Sequence, residues 1–200
     1  DIPILSIAFN KRIAEEMKTR LPSNVVAMTM NALGHRVWSS AIGKRLNIDT
    51  KKSYNILSSI MDDLPKADRL EVREFFSDVL KAVSSAKMRG YVPDGKFQGA
   101  RRIVSEAEFF ESFEEEPSGL FISTVNRILT RSIQLAYEGS IDFDDQIYMS
   151  TIFGGTFPSY PLVMIDEAQD LSPLNHEMLK KLVTKRLIAV GDPYQSIYGF

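Results

Sequence analysis

Two carboxylate side chains follow directly after a short apolar run in the last third of the sequence. The run covers residues 162–165, and Asp166 and Glu167 come next. It is too short for a helix and rich in strand-forming residues, which is typical of a buried strand. In an open α/β sheet, groups at the carboxyl end of a strand lie at the edge where ligands bind. One carboxylate could hold Mg²⁺ while its neighbour activates water, and nucleotide hydrolysis needs both near the same phosphate.

A second apolar run places another carboxylate at the same predicted edge. Residues 187–190 form this run, and Gly191 and Asp192 end it. Because parallel strands end at one edge of their sheet, we expect Asp192 to lie near the acidic pair. An acidic pair after a strand also fits a plain helix N-terminus, where the helix dipole favours negative charge. The pair taken alone leaves both interpretations open.

The start of the chain predicts further elements of the same sheet. Residues 2–9 are mostly apolar and indicate a buried strand. Residues 11–21 follow with apolar positions spaced by four, which place one apolar face on a helix. Residues 25–30 indicate a second strand. Strand, helix and strand in this order form the unit of a parallel α/β sheet.

The middle of the sequence has mostly helical periodicity. One predicted stripe consists of Tyr54, Leu57, Ile60 and Met61, and a second consists of Leu70, Val72, Phe75, Phe76, Val79, Leu80 and Val83. In an acidic segment farther on, Phe109, Phe110 and Phe113 are expected in a core rather than as platforms for nucleic-acid bases. The simplest account is a parallel-sheet domain, residues 1–40 and 138–200, interrupted by a helical insertion, residues 41–137.

Composition excludes several kinds of site. The 200 residues include no cysteine, so disulfides and thiolate metal centres are impossible. His35 and His176 are the only histidines and stand far apart, so we expect no histidine metal site. No apolar run is long enough to cross a membrane. The net charge of -2 does not favour a dedicated nucleic-acid module, although a local basic surface remains compatible with it.

Several strings resemble motifs of superfamily 1 DNA helicases of the UvrD/Rep type. Leu-Val-Met-Ile-Asp-Glu-Ala-Gln-Asp, residues 162–170, is similar to their Walker B motif. Ala-Val-Gly-Asp-Pro-Tyr-Gln-Ser-Ile-Tyr-Gly-Phe, residues 189–200, is similar to their third motif and follows at the expected spacing. Residues 8–17 and 29–36 resemble their two DNA-contacting motifs, with Asn31 where the family usually has histidine. Residues 141–145, Ile-Asp-Phe-Asp-Asp, are also family-like, and the details lean toward the F-box DNA helicase branch and its phage or bacterial relatives.

The resemblance implies a fold and a set of residue roles. The fold would be an incomplete RecA-like domain, 1A, interrupted by the helical subdomain 1B. Asp166 would coordinate Mg²⁺ and Glu167 would polarise the attacking water. The remaining nucleotide-site residues would be Gln169 and Gln195, which sense the γ-phosphate, and Asp192. The DNA-binding residues would be Phe9, Asn10, Lys11, Thr29, Asn31, Tyr198 and Phe200. The alternatives are a core aromatic for Phe9 and loop packing for Tyr198 and Phe200.

The resemblance also implies an activity. The parent protein would be an ATP-dependent DNA helicase that uses ATP and Mg²⁺ to move 3′ to 5′ on single-stranded DNA. Its partners would be single-stranded DNA, junctions with duplex and the remaining motor domains, with no membrane. The location would be the cytoplasm, near the nucleoid or in a phage-infected cell, or the nucleus for a eukaryotic relative.

One motif of that activity is absent from the 200 residues. The phosphate-binding loop has the form G-x-x-x-x-G-K-[ST], whereas Gly43-Lys44 is followed by arginine and Gly95-Lys96 by phenylalanine. The resemblance places this loop before the segment that starts the sequence, and a second motor domain after it. We therefore expect no ATPase activity from this chain alone. A non-catalytic DNA-binding or protein-interaction module derived from a helicase, or the core of a nuclease-fused relative, remains an alternative.

Overall fold

The computed structural model describes residues 2–8, 10–95, 97–192 and 194, with the backbone alone at residue 184. The strands are β1 (Ile4–Ile7), β2 (Val25–Met28), β3 (Asn47–Ile48), β4 (Ser140–Ile141), β5 (Tyr160–Ile165) and β6 (Val183–Ala189). The helices are α1 (Lys11–Arg20), α2 (Met30–Ile42), α3 (Lys52–Asp62), α4 (Lys66–Glu74), α5 (Phe76–Met88), α6 (Glu106–Phe110), α7 (Gly119–Glu138), α8 (Phe143–Tyr148) and α9 (Pro173–Leu182). A π-helical turn, Met149–Phe153, continues α8.

The main sheet has the order β2-β1-β5-β6, and every neighbouring pair is parallel. This confirms the predicted α/β class with a parallel sheet. The strands at residues 162–165 and 187–190 are also confirmed in place, although β5 begins at Tyr160 and β6 at Val183. Helix α9 therefore passes into β6 with no loop between them.

Side-chain caps explain where the first helices begin. The Asn10 side chain accepts a hydrogen bond from the Ile13 N–H at 2.9 Å and starts α1. The Thr29 hydroxyl accepts one from the Ala32 N–H at 3.1 Å and starts α2 directly after β2. Both caps satisfy amide groups that have no partner within the helix. Gly43, in the left-handed region at φ 63°, ends α2.

The helical middle has a hydrophobic core of its own. This second core contains Leu57, Ile60 and Met61 of α3 together with apolar residues of α4 to α7. Phe109 and Phe110 are buried in it, and Phe113 packs against it. These three side chains therefore belong to a core, as expected from the sequence. Among the described residues, no helix is long and apolar enough to span a membrane.

The two predicted stripes need correction. Tyr54 is 51% exposed and only its ring edge contacts Phe76, with 5.5 Å between ring centroids, so it lies at the rim of the core. Leu70 is 52% exposed. The second stripe is not one helix, because the chain breaks at Phe75 into α4 and α5. The break turns α4 so that Val72 is its fully buried residue.

A second, two-stranded sheet was not predicted. Strands β3 and β4 pair in parallel, with Asn47 opposite Ser140 and Ile48 opposite Ile141. Each strand has only two residues, so neither carries a periodicity that the sequence could reveal. The pair joins the start and the end of the helical middle. Helix α2 continues to Ile42, past residue 40, and the division at residues 40/41 and 137/138 stays a prediction.

Candidate nucleotide and nucleic-acid site

The ends of the four main strands lie side by side at one edge of the sheet. Ile7 pairs with Met28 on one side and with Ile165 on the other, and Ile165 pairs with Ala189. The residues that follow these strands therefore start from the same level. They include Asn10 after β1, Thr29 after β2, Asp166 and Glu167 after β5, and Asp192 after β6. The strand register thus supports the sequence prediction that Asp192 lies at the same edge as Asp166 and Glu167.

The acidic pair occupies a tight turn. Glu167 has φ 55° and is the only non-glycine residue with positive φ among the described residues. Its backbone N–H donates to Asp166 Oδ1 at 3.0 Å, which holds the Asp166 carboxylate against the backbone of the turn. Non-glycine residues rarely adopt this backbone conformation, and strained backbone of this kind is concentrated at functional sites. Both side chains are exposed and accessible to a ligand.

Gln169 connects the acidic turn to the loop after β6. Its Nε2 donates to Glu167 Oε2 at 2.6 Å, and its Oε1 accepts the Asp192 N–H at 3.1 Å. Because the two partners are an acceptor and a donor, only this orientation of the amide satisfies both. The backbone adds a second link, from the Ala168 N–H to the Val190 carbonyl at 2.9 Å. The two helicase-like motifs therefore form one connected unit.

The acidic turn and the loop after β6 approach so closely at Gly191 that little room is left for a side chain. A Cβ at this position would overlap Gln169 Oε1 and would lie 3.0 Å from the Ala168 nitrogen. A side chain here would therefore displace the Gln169 amide and crowd the Ala168 backbone. The glycine of the second motif serves the packing between the loops rather than a special backbone angle.

The donor set at this edge suits Mg²⁺. This ion prefers carboxylate oxygens and usually takes only one or two from the protein, with water and phosphate oxygens completing its shell. Asp166 and Glu167 are exposed carboxylates next to each other. In the part of the chain that the structure describes, no group of three or more acidic or histidine side chains could hold a metal. Phosphate oxygens would be among the ligands of a metal held here, as in nucleotide sites.

A cavity of about 680 Å³ lies between α1, α2 and α8. Four residues predicted to bind DNA line it, namely Asn10, Lys11, Thr29 and Asn31. The side-chain oxygens of Asn10 and Thr29 cap α1 and α2, so these two residues also have a local structural role. The amide of Asn31 donates to the Phe143 carbonyl at 2.9 Å.

The cavity contains further residues besides those four, and two of them, His35 and Arg36, lie in the motif-like segment 29–36. Lys18, His35 and Arg36 add basic groups to Lys11, and Phe143 adds an aromatic ring that is 56% exposed. Lys18 donates to Glu15 at 2.8 Å, and this hydrogen bond lowers the pKa of the Glu15 carboxyl. Phe143 lies in the family-like segment 141–145, so its position could have suggested a site role. The predicted residues Phe9, Gln195, Tyr198 and Phe200 lie outside the described residues.

Comparison with known proteins supports a single family. The family model for the UvrD/REP helicase N-terminal domain matches residues 2–200. "F-box DNA helicase protein 1" of Schizosaccharomyces pombe is 25% identical over 98% of this chain and 23% of its own length. "DNA helicase IV" of Escherichia coli is 25% identical over 98% of the chain and 34% of its own length. "ATP-dependent DNA helicase PcrA" of Leuconostoc citreum is also 25% identical, over 98% of the chain and 27% of its length. The chain thus spans about a quarter to a third of these relatives.

Proposed function

We propose that this chain, which belongs to the UvrD/REP helicase family as its N-terminal domain, supplies the carboxylate pair and part of the single-stranded-DNA surface of an ATP-dependent DNA helicase. One observation carries the proposal. The in-register strand ends bring Asp166 and Glu167 to the edge that also bears Asn10 and Thr29. The names of the relatives, DNA helicases throughout, agree with it.

The acidic turn would serve the nucleotide. Asp166 would hold Mg²⁺, which when bound neutralises charge on the phosphates. Glu167 would orient a water molecule and accept its proton, since its carboxylate is exposed next to Asp166. Gln169 would keep Glu167 in place through the 2.6 Å hydrogen bond and relate it to Asp192. Gln195 would assist as a γ-phosphate sensor, a role that rests on the family resemblance.

The cavity between α1, α2 and α8 would receive the DNA strand. Lys11, Lys18 and Arg36 can pair with backbone phosphates, and these contacts give affinity without sequence preference. The exposed ring of Phe143 offers a surface for base stacking, as we propose for Phe9, Tyr198 and Phe200. Such a surface suits a motor that moves along any sequence.

The 200-residue chain alone is proposed to hydrolyse no ATP. Its sequence contains no G-x-x-x-x-G-K-[ST] loop, whose amides and lysine hold the β- and γ-phosphates. Without that anchor the carboxylates have no positioned substrate. Turnover by the purified chain that disappears in Glu167→Gln would contradict this. For the whole protein we propose 3′ to 5′ movement and unwinding at junctions of single- and double-stranded DNA, in the cytoplasm or, in a eukaryote, the nucleus.

A fluorescence titration of the chain with labelled oligo-dT tests the DNA-binding proposal. Lys11→Ala should weaken binding severalfold and reduce its salt dependence, because a phosphate contact is lost. Lys66→Ala is the matched control, since Lys66 is an exposed lysine on α4 outside the cavity. Equal affinity for the wild-type chain and Lys11→Ala, or an equal loss in Lys66→Ala, would contradict the assignment of the surface.

A further inference from the structure

Four charged side chains meet inside the protein, where the helical middle contacts α8. Lys52 begins α3, Lys87 lies near the end of α5, and Asp142 and Asp145 cap α8. Lys52 Nζ lies 2.5 Å from Asp145 Oδ2. Lys87 Nζ lies 2.6 Å from Asp142 Oδ2 and 2.8 Å from Asp145 Oδ1. Lys52 and Lys87 are each 1% exposed, and Asp145 is fully buried.

The hydrogen bonds of this cluster also depend on how the surrounding helices are oriented. Lys52 also donates to the Ser132 carbonyl at 2.8 Å, so it ties α3 to α7 as well as to α8. Asp142 Oδ1 accepts the Asp145 N–H at 2.9 Å, and Asp145 Oδ2 accepts the Asp142 N–H at 3.0 Å. All of these bonds can form together only when α3, α5, α7 and α8 keep one arrangement.

Two lysines face two aspartates in the cluster. Burial lowers the pKa of Lys52, and the charge of Asp145 opposes that shift. Burial alone would raise the pKa of Asp145, but Lys87 and Lys52 outweigh it and hold that pKa below its ordinary value. Burial likewise opposes charge on Lys87, yet Asp145 and Asp142 raise its pKa. Removing one partner would leave a buried charge without compensation, which is strongly destabilising, whereas apolar replacement of whole pairs often is not. Such clusters therefore contribute geometry more than stability.

Helix α8 connects the charged cluster to the cavity proposed to bind DNA. The carbonyl of Phe143, the first residue of α8, accepts the Asn31 side-chain N–H at 2.9 Å. One turn farther along, a Cβ at Gly34 would overlap the Gln146 carbonyl oxygen, so α2 and α8 are in backbone contact. A shift of α8 would therefore move both Asn31 and Phe143, which line the cavity.

We infer that Lys52, Lys87 and Asp145 are positioning residues, which set α8 against the helical middle and so hold Asn31 and Phe143 in place for DNA. The inference rests on the proposed function for its DNA readout only. It gives the helical middle a direct mechanical connection to the DNA surface, although the four charged groups line no part of that cavity.

The variant Lys87→Met/Asp142→Asn removes both ion pairs of Lys87, to Asp142 and to Asp145, and leaves Lys52 with Asp145. Asparagine can still accept the Asp145 N–H, so the cap of α8 is kept. The matched control is Ile128→Val, a conservative change in the core of the helical middle that leaves all four charged groups in place. If the double variant does not fold, Asp142→Asn alone is used instead. The same changes are expected in each readout but should be smaller, because Asp142 is the least buried member of the cluster.

The first readout needs no DNA. In an NMR spectrum, the side-chain amide of Asn31 should change its chemical shift and exchange its protons faster in the double variant. Lys87→Arg, which keeps the charge, should leave the signal close to that of the wild type, and Ile128→Val should not move it. An Asn31 signal that is unchanged in the double variant would overturn the inference, whatever the chain does with DNA.

The second readout is a double-mutant cycle in affinity for oligo-dT. The double variant should weaken binding about fivefold in the wild-type background and cause no further loss when Asn31→Ala is already present. Independent, additive losses would show that the cluster acts on stability alone and would overturn the inference. If the wild-type chain binds no DNA, the proposed function fails while the Asn31 signal still tests the positioning.

Discussion

Gln169 donates its amide to Glu167, with 2.6 Å between Nε2 and Oε2, and at the same time accepts the backbone N–H of Asp192. Glu167, which is proposed to activate water, is thus held by a side chain that also bonds to the loop after β6. A displacement of either loop would change the orientation of the Glu167 carboxylate. These two hydrogen bonds therefore couple the acidic turn to the loop after β6.

Gln169→Ala should lower kcat for ATP in the full-length protein about 10- to 100-fold, the usual effect of losing a supporting hydrogen bond at a reactive carboxylate. KM for ATP should change little, because the Gln169 amide is bonded to Glu167 and to the Asp192 N–H. Steady-state kinetics separate the two constants. Gln134→Ala, the same change at an exposed position on α7, is the control and should leave both unchanged. A rise in KM at constant kcat would assign Gln169 to substrate binding instead.

Gly191→Ala should destabilise the chain by about 1 kcal/mol, because the added methyl group would crowd the backbone nitrogens of Ala168 and Gln169 and displace Gln169 Oε1. Urea unfolding of the chain measures this loss. Gly119→Ala serves as the control, since a Cβ there meets no atom within 4 Å at the start of α7. That variant should be neutral or slightly more stable, because alanine favours a helix over glycine. Equal stability of the two variants would contradict the proposed closeness of the loops.

Asp144→Asn should stabilise the chain at neutral pH. Burial raises the pKa of Asp144 above its ordinary value of 3.8, despite a 2.7 Å hydrogen bond from the Ser84 hydroxyl that asparagine can also accept. A carboxyl group with a raised pKa costs stability when ionised. This cost is full above the raised pKa, shrinks as pH falls through it, and vanishes below the ordinary value.

The difference in unfolding free energy between Asp144→Asn and wild type should therefore decrease as the pH is lowered from 7 toward 3. Chemical unfolding at a series of pH values measures it. Asp68→Asn is the control, because it makes the same change in the first turn of α4, on a different helix from Asp144. A stability gain that stays constant with pH would show that the carboxylate is not the cause.

The residues near the motifs were predictable from the sequence, whereas their long-range partners were not. Apolar runs identified β5 and β6, and their spacing placed Asp166 and Asp192 at one edge, which the strand register supports. Periodicity could not show that Lys52 and Lys87 turn inward, since both stand on helices whose charged residues normally face solvent. Their burial depends on Asp142 and Asp145, which are distant in sequence.

The same limit applies to the DNA surface. Asn10, Lys11, Thr29 and Asn31 were found through motif resemblance, and the fold brings them to one cavity. Phe143 joins them only because α8 packs on α2, a tertiary contact between segments far apart in the chain. Local patterns therefore identify the strands and caps, and only packing reveals which residues share a surface.

The most direct measurement of the central claim is the ATPase rate of the full-length protein carrying Glu167→Gln, with single-stranded DNA present. If Glu167 activates water for a helicase, kcat should fall about 100-fold or more, because a general base contributes on this order. Affinity for oligo-dT should stay as in the wild type, because Glu167 does not line the cavity between α1, α2 and α8. An ATPase rate that survives Glu167→Gln would contradict the account.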